Sequence, residues 1–139
     1  MTRRSLRILL GIALASMAAG PVASGVRSLW MTRQAVASYA RLIAAANAQD
    51  LDAVRAECSS RYLRDHEIRP SEGGGVADLP RNIHRNFQAW REGPDVWLCP
   101  TDRQGPVYRF IWDRDAYRFD GLAGLLRGGR VEGVAAGDF

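Results

Sequence analysis

The 139-residue sequence predicts an α+β fold: three N-terminal helices packed on a short curved antiparallel sheet of three or four strands, preceded by a signal peptide. Three observations predict it. Apolar residues recur at helical spacing up to about residue 91. From residue 95 the period changes to two. The first 24 residues run from a basic start through an apolar stretch to small residues, the order of an export leader. A composition of 47% apolar and 24% charged residues fits one globular domain and argues against disorder or a multi-span membrane protein.

In the leader, Arg3, Arg4 and Arg7 precede a charge-free stretch over 8–19. Val22-Ala23-Ser24 satisfies the small-x-small cleavage rule. Arg3-Arg4 also gives a partial twin-arginine match. The expectation is export by the cell's secretion machinery, leaving the domain periplasmic or extracellular. An uncleaved membrane anchor through residues 8–26 is the alternative, since that interval has nearly the length of a spanning helix.

Residues 28–48 are the clearest helix, with Leu29, Val36, Tyr39, Ala40, Ile43 and Ala46 on one stripe. Asp50 suits the cap of a second helix, with Asp52 near its positive end. Leu51, Val54, Cys58 and Tyr62 form its inner face. Residues 65–78 hold Pro70, Ser71 and Gly73-Gly74-Gly75, which favours a mobile connector loop. A third helix is expected over 79–91, capped by Asp78, with Leu79, Ile83, Phe87 and Trp90 as its stripe.

Strands follow at 95–101, 107–112 and 116–120, joined by turns at Gly105-Pro106 and Asp113-Arg114-Asp115. Residues 122–126 add a short fourth strand. From Gly128 the chain reads as a Gly-rich flexible tail, 128–139.

Every one of the 19 cationic side chains is Arg, which excludes a Schiff-base or phosphate-loop Lys. Removing the leader takes three Arg and no acid, leaving 16 Arg against 15 acids. Near-neutrality of that kind excludes nucleic acid as a partner, because counterion release needs a charge surplus. Cys58 and Cys99 are the only cysteines. In an exported chain an even pair suggests one disulfide, closing a loop of about 40 residues worth about 3–4 kcal/mol. Buried free thiols are the alternative. There is no CxxC motif and no Cys/His zinc spacing, so neither a metal nor another cofactor is expected.

Three segments carry a family resemblance. They are the junction Ala46-Asn47-Ala48-Gln49-Asp50-Leu51-Asp52-Ala53, then Cys58-Ser59-Ser60-Arg61-Tyr62, and the closing strand Ala116-Tyr117-Arg118-Phe119-Asp120-Gly121. Over residues 28–126 the chain resembles the nuclear-transport-factor-2-like (cystatin-like α+β) superfamily, which includes ketosteroid isomerases and polyketide cyclases. The resemblance implies a curved sheet wrapped into a cone and a frequent tendency to dimerise. It brings no catalytic residue, since no motif around any Asp or Tyr matches the isomerases.

The residues themselves offer few candidates for chemistry. His84 with Asp113 or Asp120 is the candidate acid–base set. Trp97, Tyr108, Phe110 and Trp112 are the candidate ligand-stacking aromatics. Ser59-Ser60 lacks the flanking glycines of a nucleophile elbow. The reading that results is an exported small domain that binds a small molecule or a protein partner, with no evident catalytic set. One alternative is an isomerase- or cyclase-type enzyme using His84 and an Asp. Another is a membrane-tethered module that forms homodimers.

Overall fold

The computed structural model describes the backbone of residues 3–133 and the side chains of residues 25–133. The side-chain features of the expected leader and anchor lie outside the described residues, as does the end of the expected tail, 134–139. Among the described residues no helix is long and apolar enough to cross a membrane. By its contacts the chain divides into a first unit, Met1–Trp30, and a second, Met31–Phe139. The described residues of the first unit are helical, and its Val26, Leu29 and Trp30 are solvent-exposed. The second holds the core and every site discussed below.

Helix α1 (Arg3–Asn47) follows from an Ala-rich run without a β-branched cluster. Its inward stripe in the second unit is Met31, Ala35, Tyr39, Leu42 and Ala46, all buried. The stripe expected from sequence is therefore rotated: Ala40 is exposed, while Val36 and Ile43 lie on its margin. A helix with apolar residues on two adjoining faces does not announce which one the sheet will cover.

Asp50 caps α2 (Leu51–Glu57), its carboxylate accepting from Ala53 N at 3.2 Å. Ser38 of α1 is fully buried and donates to Glu57 Oε2 at 2.9 Å, and Arg41 pairs with Glu57 Oε1 at 2.7 Å. The second helix does not run on to Tyr62 as expected. It stops at Cys58, and a separate helix α3 (Ser60–Asp65) restarts on Ser59, whose hydroxyl accepts from Tyr62 N at 3.0 Å.

The third helix expected over 79–91 is absent. Residues 80–87 form no helix or strand, and β1 (Gln88–Glu92) takes the rest. Pro80 and the tight turn Gly93-Pro94 explain this, because the turn folds β1 back onto β2 (Asp95–Cys99) with Trp90 opposite Trp97. The loop between α3 and β1 is tied down rather than left free. Gln49 Nε2 donates to Gly75 O, Asn47 Nδ2 to Arg81 O, and Tyr39 Oη to Asn82 O. Ile68, Val76 and Leu79 are buried beneath it.

After β3 (Gly105–Asp113) comes β4 (Ala116–Arg127), which absorbs the separate strand expected at 122–126. Strand β5 (Arg130–Glu132) pairs back onto β4, so the expected tail begins as a strand. The five strands form an antiparallel meander in chain order, against the three or four expected from sequence. On β2 the alternation is clean. Val96 and Leu98 join the main core under the helices with Phe110 and Phe119, while Trp97 and Cys99 join a second cluster with Val107, Leu126 and Trp90.

Candidate functional site

The site begins with an irregularity in β4. Tyr108 pairs with Leu122 and Phe110 with Phe119, so Asp120 and Gly121 together face the single residue Arg109. Two residues opposite one is a β-bulge, which bends the strand and re-aims its side chains. Gly121 has φ +96°, and a Cβ there would sit 3.3 Å from the Tyr62 ring. Glycine is therefore needed both for the backbone and for the approach of α3.

The bend opens a cleft of about 360 Å³ between α3, the α3–β1 loop and the sheet. Its walls are Tyr62, Tyr108, Phe119 and Leu122, with His66 and Asp78 as the ionisable groups. The rings brace one another: Phe119 packs on Tyr62 at 5.1 Å and on Tyr108 at 5.5 Å. His66 stacks on Tyr62 at 4.2 Å and donates through Nδ1 to Tyr62 O. Asp78 holds a left-handed φ of 62° within this loop.

Burial pushes the Tyr62 phenol well above its ordinary range, helped by the charges of Cys58 and Asp78. Burial raises the Tyr108 phenol too. Both hydroxyls are thus protonated donors at neutral pH, and neither bonds to another protein group among the described residues. A mostly apolar cavity with a few free hydrogen-bonding groups is the usual form of a small-molecule site.

A second, polar chamber of about 240 Å³ shares Tyr62, His66, Gly121 and Leu122 with the cleft. Its inner wall is Asp120, whose side chain is fully buried. Oδ1 accepts from Ser59 Oγ at 2.6 Å and Arg61 Nε at 3.1 Å. Oδ2 accepts from Arg109 Nε at 3.0 Å and from Arg61 Nη2. The hydrogen bond to Asp120 raises the Arg61 guanidinium further above its ordinary value.

The residues singled out from sequence are dispersed. His84 is exposed in the loop before β1, where its Nδ1 accepts from Asn86 N and its backbone N–H donates to Pro100 O. Asp113 lies at the far end of β3 and accepts from Ser60 N at 2.7 Å and Ser60 Oγ at 2.9 Å. Pro100 is near the start of β3, so a nine-residue strand of ~26 Å separates the two groups. Asp120 is saturated by its own donors. His84 thus meets neither Asp. Ser59 is a buried cap that donates to Asp120, out of reach of any substrate.

Of the four expected aromatics only Tyr108 lines the cleft. Phe110 is fully buried, and Trp112 is half-exposed against Tyr117 at 5.3 Å. Trp97 packs on Trp90 beside another groove, formed by β1, β2, β4 and β5. Cys58 and Cys99 are buried free thiols. Cys58 bridges to the outer edge of β4 at Phe119, and Cys99 is on β2, three chain spacings or ~14 Å away in the sheet. A disulfide spans less than ~7 Å between Cα atoms, so the expected bridge is not formed here. Burial, with the charge of Glu57, pushes the Cys58 thiol up to about 12.

Tyr62, His66 and Asp78 were not singled out as site residues from sequence. The signal was Gly121 inside a strand pattern, which marks a bulge or a close backbone approach. Among the described residues no group of three His, Cys, Asp or Glu side chains gathers to hold a metal. No family model matches the chain, and no curated protein or solved structure is similar to it.

Proposed function

We propose that the chain is an exported small-molecule-binding domain whose ligand sits in the cleft between Tyr62, Tyr108, Phe119 and Leu122. One observation carries the reading: an apolar cavity of ligand size with two protonated tyrosine hydroxyls left without protein partners. Such a site suits a flat one- or two-ring molecule with an acceptor oxygen. The aromatic walls stack on its body and the phenols donate to its acceptor. The saturated carboxylate of Asp120 and the isolation of His84 favour binding over turnover. Export rests on the leader sequence. Membership of the nuclear-transport-factor-2-like superfamily is part of the proposal, supported by the order of helices and then a bent antiparallel sheet.

The test uses 6-acetyl-2-dimethylaminonaphthalene, a neutral two-ring dye with a ketone oxygen whose fluorescence rises in apolar surroundings. The full chain should give saturable one-site enhancement, and Leu122→Trp, which fills the cleft, should abolish it without lowering Tm. Enhancement that never saturates, or that survives the substitution unchanged, contradicts the proposal.

A further inference from the structure

We infer that the ligand is an amphipathic carboxylic acid, its apolar body in the cleft and its carboxylate in the adjoining polar chamber against Arg61 and Arg109. The inference rests on the cleft being the binding site and adds the chemical class of its occupant.

The argument is one of hydrogen-bond donors. The two chambers share four wall residues, so a molecule seated on the aromatic rings reaches the arginines without crossing a barrier. Two guanidiniums meet one carboxylate there. Asp120 uses both oxygens, each accepting twice, and has no capacity left. Asp95, half-buried on β2, is a further carboxylate whose charge acts on Arg109 and Arg61, so it is the unused N–H groups rather than surplus charge that a ligand carboxylate would engage. Asp65 also lines the chamber, but it is exposed and pairs with Arg64 at 3.5 Å.

Arg109 spends only Nε on Asp120, at 3.0 Å. Among the described residues its two terminal nitrogens have no protein acceptor, nor does Nη1 of Arg61. These side chains are a third and a half exposed, so their free N–H groups are accessible rather than sealed. Asp120 also fixes the orientation of both forks before a ligand arrives. A planar, preset guanidinium edge matches a carboxylate in two parallel hydrogen bonds.

The experiment is calorimetry of the full chain with 2-naphthylacetate and with its neutral isostere 2-naphthylacetamide. We expect the acid to bind at least tenfold more tightly. Arg109→Gln should remove most of that difference by weakening the acid far more than the amide. Equal affinities for acid and amide overturn the inference and leave the cleft standing as a ligand site. A preference for the acid that survives both Arg109→Gln and Arg61→Gln also overturns it, because the carboxylate then binds elsewhere. If neither naphthyl probe nor the neutral dye binds, the cleft reading fails together with the inference. The acid-to-amide ratio on the unmodified chain decides the matter even if an arginine variant does not fold.

Discussion

Replacing Asp120 with Asn tests the knot on which both chambers depend. The change keeps the side chain's size and removes its charge. One carboxylate oxygen becomes an NH₂ group, so two of the four hydrogen bonds it accepts are lost and a donor faces a donor. Hydrogen bonds to charged groups contribute about 1.5–3 kcal/mol each. The arginine heads are partly exposed, at 48% and 34%, so they recover water and the loss is discounted. We expect a net cost of about 3 kcal/mol, a large share of the ~5–15 kcal/mol that holds a domain together. With a urea slope of ~2 kcal/mol per M the midpoint should fall by about 1.5 M. Arg61→Gln alone should cost about 1 kcal/mol, and clearly less in the Asp120→Asn background, where only one of its two hydrogen bonds to residue 120 can remain. A midpoint shift below about 0.5 M for Asp120→Asn, or full additivity in the cycle, refutes the reasoning.

Three further outcomes follow from the same geometry. Gly121→Ala forces a side chain onto φ +96° and against Tyr62, and should cost about 2 kcal/mol, a fall of about 8 °C in Tm; an unchanged Tm contradicts the bulge. Ellman's reagent should find no reactive thiol in the native protein and two in urea without reductant, because both cysteines are buried and unbridged; no thiol in urea would reveal a disulfide. Ser60, through its backbone N–H first, holds the Asp113 carboxyl below the usual carboxylate range. Its stabilisation is therefore complete above the unfolded value of ~3.9 and fades as pH falls through the depressed folded value. The stability gap between wild type and Asp113→Asn should close over that acidic window, and a gap constant from pH 6 to pH 2 would contradict the assignment.

Strands β2, β3 and the first half of β4 were legible because burial on two faces writes itself as alternation, whereas β1 and β5 were not. Val96 and Leu98 against Trp97 and Cys99 predict β2 and both of its apolar clusters. The expected helix at 79–91 shows the limit of periodicity. Leu79, Ile83, Phe87 and Trp90 fit a helical stripe, yet Leu79 and Phe87 enter the main core, Trp90 the other cluster, and Ile83 is exposed. Four residues matched a template, while the turn Gly93-Pro94 two residues beyond Arg91 spoke for a hairpin. The break between α2 and α3 was written in Ser59 as a cap, and was masked by a Cys58–Tyr62 spacing that suits one continuous helix. The cleft was least legible, because it depends on the bulge at Asp120-Gly121 pairing with Arg109 from another strand. Local sequence marks the glycine but not the register that gives it a purpose.

The central claim is that the cleft beside Gly121 binds a small apolar molecule. Backbone amide chemical shifts of the full, ¹⁵N-labelled chain, titrated with 6-acetyl-2-dimethylaminonaphthalene, test it most directly. The account predicts saturable shifts concentrated at His66, Asp78, Gly121 and Leu122. Shifts that centre instead on Trp90, Trp97 and Val131, or no saturable shifts at all, would contradict it.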